Sequence, residues 1–208
     1  MTVVLHEFWR SSASYRVRIA LHLKRIVFAS RPIDLAAGMQ CNPDHLRLNP
    51  QGLVPALEID DLVLTQSLAI IEYLDECRPG PHLLPPDPGA RAQARALSLA
   101  IACETAPLAN LRVLNRIETI AGRDARSKWN RDAIRAGLEA FERMLDHPSF
   151  IGAFCVGHAP GLADCVLIPQ LYNADRWQVE TGDLPRITAV ADRCKREQAF
   201  AAAVPQQS

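Results

Sequence analysis

The sequence predicts an α/β domain followed by an all-helical domain, and three observations lead to this prediction. Residues 49–76 have the pattern strand, strand, helix, and alternating strand and helix patterns precede them. Beyond residue 84 the chain shows only helical periodicity, without internal repeats. A proline-dense connector, PGPHLLPPDP, separates the two halves. We therefore predict domains at residues 1–84 and 88–208.

The segment 49–76, NPQGLVPALEIDDLVLTQSLAIIEYLDE, contains a hairpin and a helix start. Two short apolar runs are separated by Asp60 and Asp61, which is hairpin spacing, and aspartate tolerates the positive φ of a tight turn. Gln66 and Ser67 then precede apolar residues at helical spacing, and we predict that Ser67 caps this helix. Because a helix N-terminus attracts carboxylates, this polar pair is a candidate anion site.

The elements before this segment complete a known order. Residues 3–8 and 27–33 have strand character, and the helix between them begins with Ser11 and Ser12. Residues 39–48 resemble a short, irregular helix. The order βαβ, α, ββα is that of a thioredoxin-like domain.

The Val54–Pro55 bond follows a glycine-containing loop and opens a strand, where a proline needs no ladder partner. Base rates favour an ordinary trans bond. The thioredoxin-like order favours cis, because a cis proline faces the active site in such domains. We predict a cis bond.

The second half shows four helical stretches and a tail. A helix capped by Asp87 extends to about residue 120 with a break at Pro107 and a stop at Gly122. Further helices are predicted at 127–145, 161–177 and 185–195, and AAAVPQQS is predicted to be a loose tail. Asp164, three residues after Gly161, is placed to reach back to the helix start.

Composition narrows the function classes. Lysine plus arginine and aspartate plus glutamate each number 23, so the net charge of zero gives no support for nucleic acid or an anionic membrane as a partner. No apolar run approaches the ~20 residues of a membrane span, and the N-terminus does not resemble a signal peptide. The six cysteines are scattered without a CxxC pair, which fits a reducing, cytoplasmic environment, and we expect no metal.

Three phrases give the chain a family resemblance. Three segments strongly resemble the glutathione transferases, and among them the zeta class, also known as maleylacetoacetate isomerases. The segments read NPxGxVPALEID…LxQSLAIIEYL, SSxSYRVRIALxLK and PGLADCVLIPQLYNADRW. The resemblance covers nearly the whole chain and implies the glutathione transferase fold, a thioredoxin-like domain plus an all-α domain. It also implies glutathione as cofactor, a homodimer and a role in aromatic or tyrosine catabolism.

The resemblance implies roles for individual residues. Ser11 and Ser12 match the serines that serve the glutathione thiol, while Arg10 and Arg176 match positions that bind the acidic substrate. The other implied glutathione-site residues are Gln40, Val54, Gln66, Ser67 and Asn110. The structural alternatives are helix-capping serines, solvated surface arginines and, for Asn110, a polar residue facing the core.

The chain departs from the family pattern at three positions. Ala13 replaces a cysteine common in the family, so this helix start offers no enzyme thiol for chemistry. Ala106 replaces a glutamine, which would remove one glutathione contact. Gly161 replaces serine or threonine, and glycine in place of such a cap costs only a few tenths of a kcal/mol.

Three functions fit these residues. The first is a glutathione-dependent cis–trans isomerase of maleylacetoacetate or maleylpyruvate, whose two carboxylates suit paired arginine forks. The second is a general glutathione transferase or dehalogenase, because the same thiolate chemistry serves other electrophiles. The third is a non-catalytic binding protein of this fold, which the presence of Ser12, Gln66 and Ser67 disfavours. The paired arginines favour the first.

Overall fold

The computed structural model describes residues 2–206, which divide into two compact units. Residues 2–84 together with 196–206 form the first unit, and residues 85–195 form the second. The C-terminal segment therefore packs with the N-terminal part of the chain, whereas the sequence pattern grouped it with the helical half.

The first unit is a four-stranded sheet with helices. Its elements are β1 (Val3–Glu7), α1 (Ser12–Leu23), β2 (Phe28–Pro32), a 3₁₀ turn (Met39–Cys41), α2 (Pro43–Leu48), β3 (Ala56–Ile59), β4 (Leu62–Thr65) and α3 (Ser67–Cys77). The strand order is β2-β1-β3-β4, with β1 parallel to β2 and the other pairs antiparallel. The predicted thioredoxin-like order is confirmed.

The hairpin between β3 and β4 follows the turn chemistry predicted from its two aspartates. Ile59 pairs with Leu62, and both Asp60 and Asp61 have positive φ, 53° and 62°. A turn with two such residues matches the right-handed twist of the strands. The hairpin holds β4 in register, so α3 begins directly beyond the end of β4.

The C-terminal tail is not loose over the part that the structure describes. Helix α9 (Gln198–Ala203) contacts α1, with Phe200 and Ala203 buried. The prediction of a loose tail is therefore wrong for residues 201–203. The alanines are good helix formers, and burial of Phe200 supplies the stabilisation that so short a helix lacks alone. Gln207 and Ser208 lie outside the described residues.

The second unit contains the predicted helices. They are α4 (Pro88–Leu99), a π-helical segment (Ala100–Thr105), α5 (Ala106–Leu108), α6 (Leu111–Met144), α7 (Leu162–Arg176) and α8 (Pro185–Cys194). The break expected at Pro107 is present as the irregular region between α4 and α6. Gly122 interrupts α6 with φ 86°, but the helix continues beyond it, so the expected stop is a kink.

Two local features stabilise this unit. The π-helical segment packs closely on α6, since a side chain at Gly137 would lie 2.1 Å from Thr105 Oγ1. At the start of α7, the Asp164 carboxylate accepts the backbone N–H of Gly161 at 2.8 Å and of Cys155 at 2.9 Å. The predicted reach of Asp164 to the helix start is confirmed.

One helical stretch satisfies a simple test for a membrane span. By length and composition alone, Pro88–Met144 contains an 18-residue window apolar enough to cross a bilayer. This finding differs from the expectation that no such stretch exists. It is weak evidence for a membrane, because the core helix of a soluble protein satisfies the same test.

Candidate active site

The N-terminus of α1 carries the predicted serine pair. Ser11 is the N-cap, and its hydroxyl accepts the N–H of Ser14 at 3.3 Å, while Ser12 is the first residue of the helix. Ser11 N–H donates to Phe8 O at 2.9 Å, which folds the chain tightly after β1. The first turn of α1 contains no acidic residue. Its exposed dipole therefore favours an anion such as a thiolate.

The N-terminus of α3 differs from the prediction in one respect. Gln66, not Ser67, is the N-cap, with φ 68° and no side-chain capping bond. Ser67 is 6 % exposed, and its hydroxyl accepts from Arg16 Nη1 at 3.3 Å. Because Ser67 lies one residue inside the helix, its hydroxyl interacts with α1 instead of capping α3. This first turn also lacks an acidic residue.

Val54 lies in the loop between α2 and β3. The Val54–Pro55 bond is cis, as predicted. Since His6 pairs with Ala56 in the sheet, Val54 lies beside the end of β1, from which Ser11 and Ser12 follow. A hydrogen bond stabilises this loop, because the carbonyl of Leu53 accepts from Asn49 Nδ2 at 2.8 Å.

Gln40 and Gln66 also belong to this region of the first unit. A side chain at Gly52 would lie 3.4 Å from the Gln40 carbonyl, so the 3₁₀ turn lies against the loop that leads to Val54. Gln40 Oε1 is buried and has no hydrogen-bond partner among the residues described. Gln66 Nε2 donates to Gln51 Oε1 at 2.6 Å, which connects the start of α3 to the same loop. The loop of residues 51–54 therefore lies beside both Gln40 and Gln66.

The two predicted substrate arginines lie in different units. Arg10 is exposed in the first unit, with its guanidinium 5.4 Å from the ring centroid of Phe8 and 5.7 Å from that of Trp9. Arg176 is the last residue of α7 in the second unit, exposed, and 5.9 Å from the ring centroid of Tyr172. Stacking on an aromatic face restrains each guanidinium.

Asn110 has a structural task in the second unit. It is the N-cap of α6, and its Oδ1 accepts the N–H of Arg112 at 3.1 Å. The alternative that it faces the core does not apply, because Asn110 is half-buried at a helix end. Ala106, where the family has glutamine, begins α5.

Sequence reasoning missed the buried partner of Ser67. Arg16 is 4 % exposed on α1 and bonds Ser67 from 51 residues away in the chain. The available signal was an arginine amid a buried apolar stretch, YRVRIAL, where a charged residue needs a specific partner. The position of that partner could not be read from spacing.

Comparison with known proteins places this chain in a family. Residues 10–77 match the family model of the glutathione S-transferase N-terminal domain, and residues 92–196 match that of the C-terminal domain. The maleylacetoacetate isomerase of Rhizobium meliloti (strain 1021) is 51 % identical over 207 residues, covering 99 % of this chain and 97 % of the relative.

Two solved structures are similar over nearly their whole length. The maleylacetoacetate isomerase of Methylobacterium extorquens AM1 with bound malonate and glutathione has a TM-score of 0.93 at 39 % identity, covering 97 % of this chain and 96 % of that one. The holo structure of a bacterial maleylpyruvate isomerase of the zeta class has a TM-score of 0.93 at 40 % identity, with the same coverage of 97 % and 96 %. The chain belongs to the glutathione transferase family, in the zeta class that includes the maleylacetoacetate and maleylpyruvate isomerases.

Proposed function

We propose that this protein is a glutathione-dependent cis–trans isomerase of a maleyl diacid, maleylacetoacetate or maleylpyruvate. The observation that carries the proposal is the pair of helix N-termini in the first unit. Both α1 and α3 begin with polar side chains, and neither has an acidic residue in its first turn. One end suits a thiolate and the other a carboxylate, and glutathione carries both kinds of anionic group, the cysteinyl thiolate and the glutamyl carboxylate among them.

The residues present fit glutathione. Ser67 is fixed by the buried guanidinium of Arg16, which adds positive charge behind a carboxylate at the start of α3. Gln40 Oε1 is a buried acceptor with no partner within residues 2–206, and such an atom is costly unless a ligand N–H reaches it. Val54 lies beside the cis bond, and its backbone would pair with the peptide of glutathione in a strand-like manner.

The chemistry divides between the cofactor and the chain. Bound glutathione supplies a thiolate that adds reversibly to the alkene of the diacid and permits rotation. Ser12 donates a hydrogen bond to the thiolate, and the positive end of α1 lowers the pKa of the thiol. Arg10 and Arg176 bind the substrate carboxylates with planar forks and so orient the alkene.

A cis-diacid is favoured over other electrophiles. Arg10 and Arg176 offer two cationic groups to the substrate, a number that matches two carboxylates and that a haloalkane does not require. Malonate, a dicarboxylate, is bound together with glutathione in the Methylobacterium relative. A general transferase or dehalogenase remains the second candidate, because the thiolate site is common to both reactions.

Removing either polar side chain at the start of α3 should weaken glutathione binding. Gln66→Ala or Ser67→Ala removes a hydrogen bond to a charged group, and we expect a loss of ~1.5–3 kcal/mol in binding free energy. Titration calorimetry measures it, with Gln51→Ala as the control for the side-chain pair with Gln66. Unchanged affinity in both variants would reject this position for the glutamyl end.

Removing Arg176 should weaken substrate binding and leave glutathione binding intact. We expect Arg176→Ala to raise the KM for the diacid about tenfold or more, because a charged hydrogen bond contributes ~1.5–3 kcal/mol. Arg143→Ala, at an exposed position near the end of α6, is the matched control. Equal losses of diacid and glutathione affinity would indicate a structural arginine.

We also propose a cytoplasmic homodimer that requires neither nucleic acid nor membrane. Leu62 and Val63 on the edge strand β4 are 45 % and 46 % exposed, which supports coverage by a second copy. The net charge of zero supports the absence of a polyanionic partner. Light scattering should give twice the 23.0 kDa of one chain, and a monomer at working concentration would contradict the dimer.

A further inference from the structure

Arg18 is a buried cation that the proposed chemistry does not use. It lies on α1, is 8 % exposed, and pairs with Glu7, which is 5 % exposed at the end of β1. The second carboxylate oxygen of Glu7 accepts from Ser30 Oγ at 2.8 Å, so the buried acid is bonded on both sides. A buried pair that is satisfied in this way resists displacement, because breaking it would leave an uncompensated charge.

The other two nitrogens of the Arg18 guanidinium each donate to a backbone carbonyl. Nη2 donates to Trp9 O at 2.9 Å, and Nε donates to Ala203 O at 3.1 Å. Trp9 directly precedes Arg10, and its indole ring is one of the two that the Arg10 guanidinium contacts. One side chain thereby connects the end of β1, the segment that leads into the serine pair, and the C-terminal helix α9.

We propose that Arg18 is a positioning residue for the glutathione site, and that α9 helps to hold Arg18 in its orientation. By fixing Trp9 O, Arg18 holds the short segment from which Arg10, Ser11 and Ser12 project. Ala203 O in α9 accepts the hydrogen bond from Arg18 Nε and so sets the orientation of the guanidinium plane. The proposal rests on the proposed function, since it concerns how the same serines meet the thiol.

The geometry requires arginine in particular. Its planar fork presents N–H groups in fixed directions, so Glu7, Trp9 O and Ala203 O are served by three separate nitrogens. A lysine could keep the ion pair with Glu7 but could not hold both carbonyls in their directions. Arg18→Lys therefore preserves the buried charge balance while releasing the segment before the serines.

The consequence should appear in catalysis and not only in stability. A donor displaced by ~1 Å can cost up to 10²-fold in rate. We expect Arg18→Lys to lower kcat at saturating glutathione by roughly 10–100-fold. We also expect the pKa of the bound glutathione thiol to rise by about one unit, which corresponds to a tenfold loss of thiolate stabilisation.

A second variant tests the part played by α9 while leaving Arg18 in place. Phe200 is 2 % exposed in α9, and Phe200→Ala should loosen the helix that offers Ala203 O. It should raise the pKa of the bound thiol in the same direction as Arg18→Lys does. An unchanged thiol pKa in Phe200→Ala would overturn the proposal that α9 helps to hold Arg18 in its orientation.

The matched control lies on the same helix. Lys24, at the other end of α1, is also buried and pairs with buried Asp75 at 2.7 Å. Lys24→Met should lower the melting temperature at least as much as Arg18→Lys and leave the thiol pKa unchanged. The measurement is ultraviolet titration of the thiolate in the protein–glutathione complex, with thermal unfolding of each variant alongside.

The outcomes separate the two proposals. If wild-type protein binds glutathione and Arg18→Lys shows wild-type kcat and thiol pKa, the positioning role is overturned and the proposed function stands. If Arg18→Lys and Lys24→Met raise the thiol pKa equally, the effect is general destabilisation and the positioning role is again overturned. Wild-type protein that failed to bind glutathione would overturn both proposals.

Discussion

Ser12→Ala should retain only about one part in 10²–10³ of the wild-type turnover. A pre-organised donor to an anion at the reacting centre is commonly worth ~10²–10³ in rate. Ser12 is the first residue of α1, and under the proposed function its hydroxyl and the helix dipole act on the same thiolate. The loss should appear in kcat at saturating glutathione and diacid, measured by ultraviolet absorbance.

Ser11→Ala provides the comparison within the same motif. Its hydroxyl caps α1 by accepting the N–H of Ser14, so its loss should cost ~1 kcal/mol of stability with a smaller effect on rate. Ala13→Cys, which restores the residue common in the family, should change turnover little, because the thiolate comes from the cofactor. Full activity in Ser12→Ala would remove Ser12 from the catalytic role.

Asp164→Ala should destabilise the second unit by ~2–5 kcal/mol. The carboxylate is 1 % exposed and accepts two backbone N–H groups, those of Gly161 and Cys155. Each buried donor left unpaired costs ~1–3 kcal/mol. Chemical denaturation measures the loss, and Asp132→Ala, on the exposed face of α6, is the control with little expected effect.

The size of the Asp164 effect should depend on pH. Burial raises the pKa of Asp164 from its ordinary value of 3.8 to about 6 in the folded protein, although the two N–H groups oppose the shift. The folded state therefore binds the proton more tightly than the unfolded state between about pH 4 and 6. As pH rises through that window, the contribution of Asp164 to the unfolding free energy falls.

The comparison of wild type with Asp164→Ala isolates the contribution of Asp164 to the unfolding free energy. The difference in unfolding free energy between the two proteins should be larger at pH 4 than at pH 7. A shift of one pKa unit corresponds to ~1.4 kcal/mol, so a change on the order of 1–3 kcal/mol is expected. A difference that grew with pH would mean that the buried carboxyl is stabilised in its charged form.

The local features of the fold could be predicted from the sequence because they depend on adjacent residues. Asp60 and Asp61 form the predicted hairpin turn, and Ser11 caps α1, since each feature needs only residues within a few positions. The cis bond at Val54–Pro55 followed from the order of elements and not from the proline itself. The Asp87 cap of α4 and the reach of Asp164 back to the start of α7 are recognisable in the same local way.

Features that depend on distant partners could not be predicted. The sequence predicts that Ser67 caps its own helix, but its hydroxyl accepts a hydrogen bond from Arg16, which lies 51 residues away in the chain. The sequence predicts a loose tail from residue 201, yet Ala203 lies in α9 and its carbonyl accepts a hydrogen bond from Arg18, 185 residues away. Local propensity is weak in a six-residue helix, so the packing of Phe200 decides its structure.

The most direct test of the proposed function is an isomerase assay of extensively dialysed protein with and without glutathione. Maleylacetoacetate and maleylpyruvate are each followed by ultraviolet absorbance. We expect conversion of at least one acid only when glutathione is added, because Ala13 leaves no enzyme thiol within the helix-start motif. Conversion by the dialysed protein alone, or no conversion of either acid with glutathione present, would contradict a glutathione-dependent isomerase.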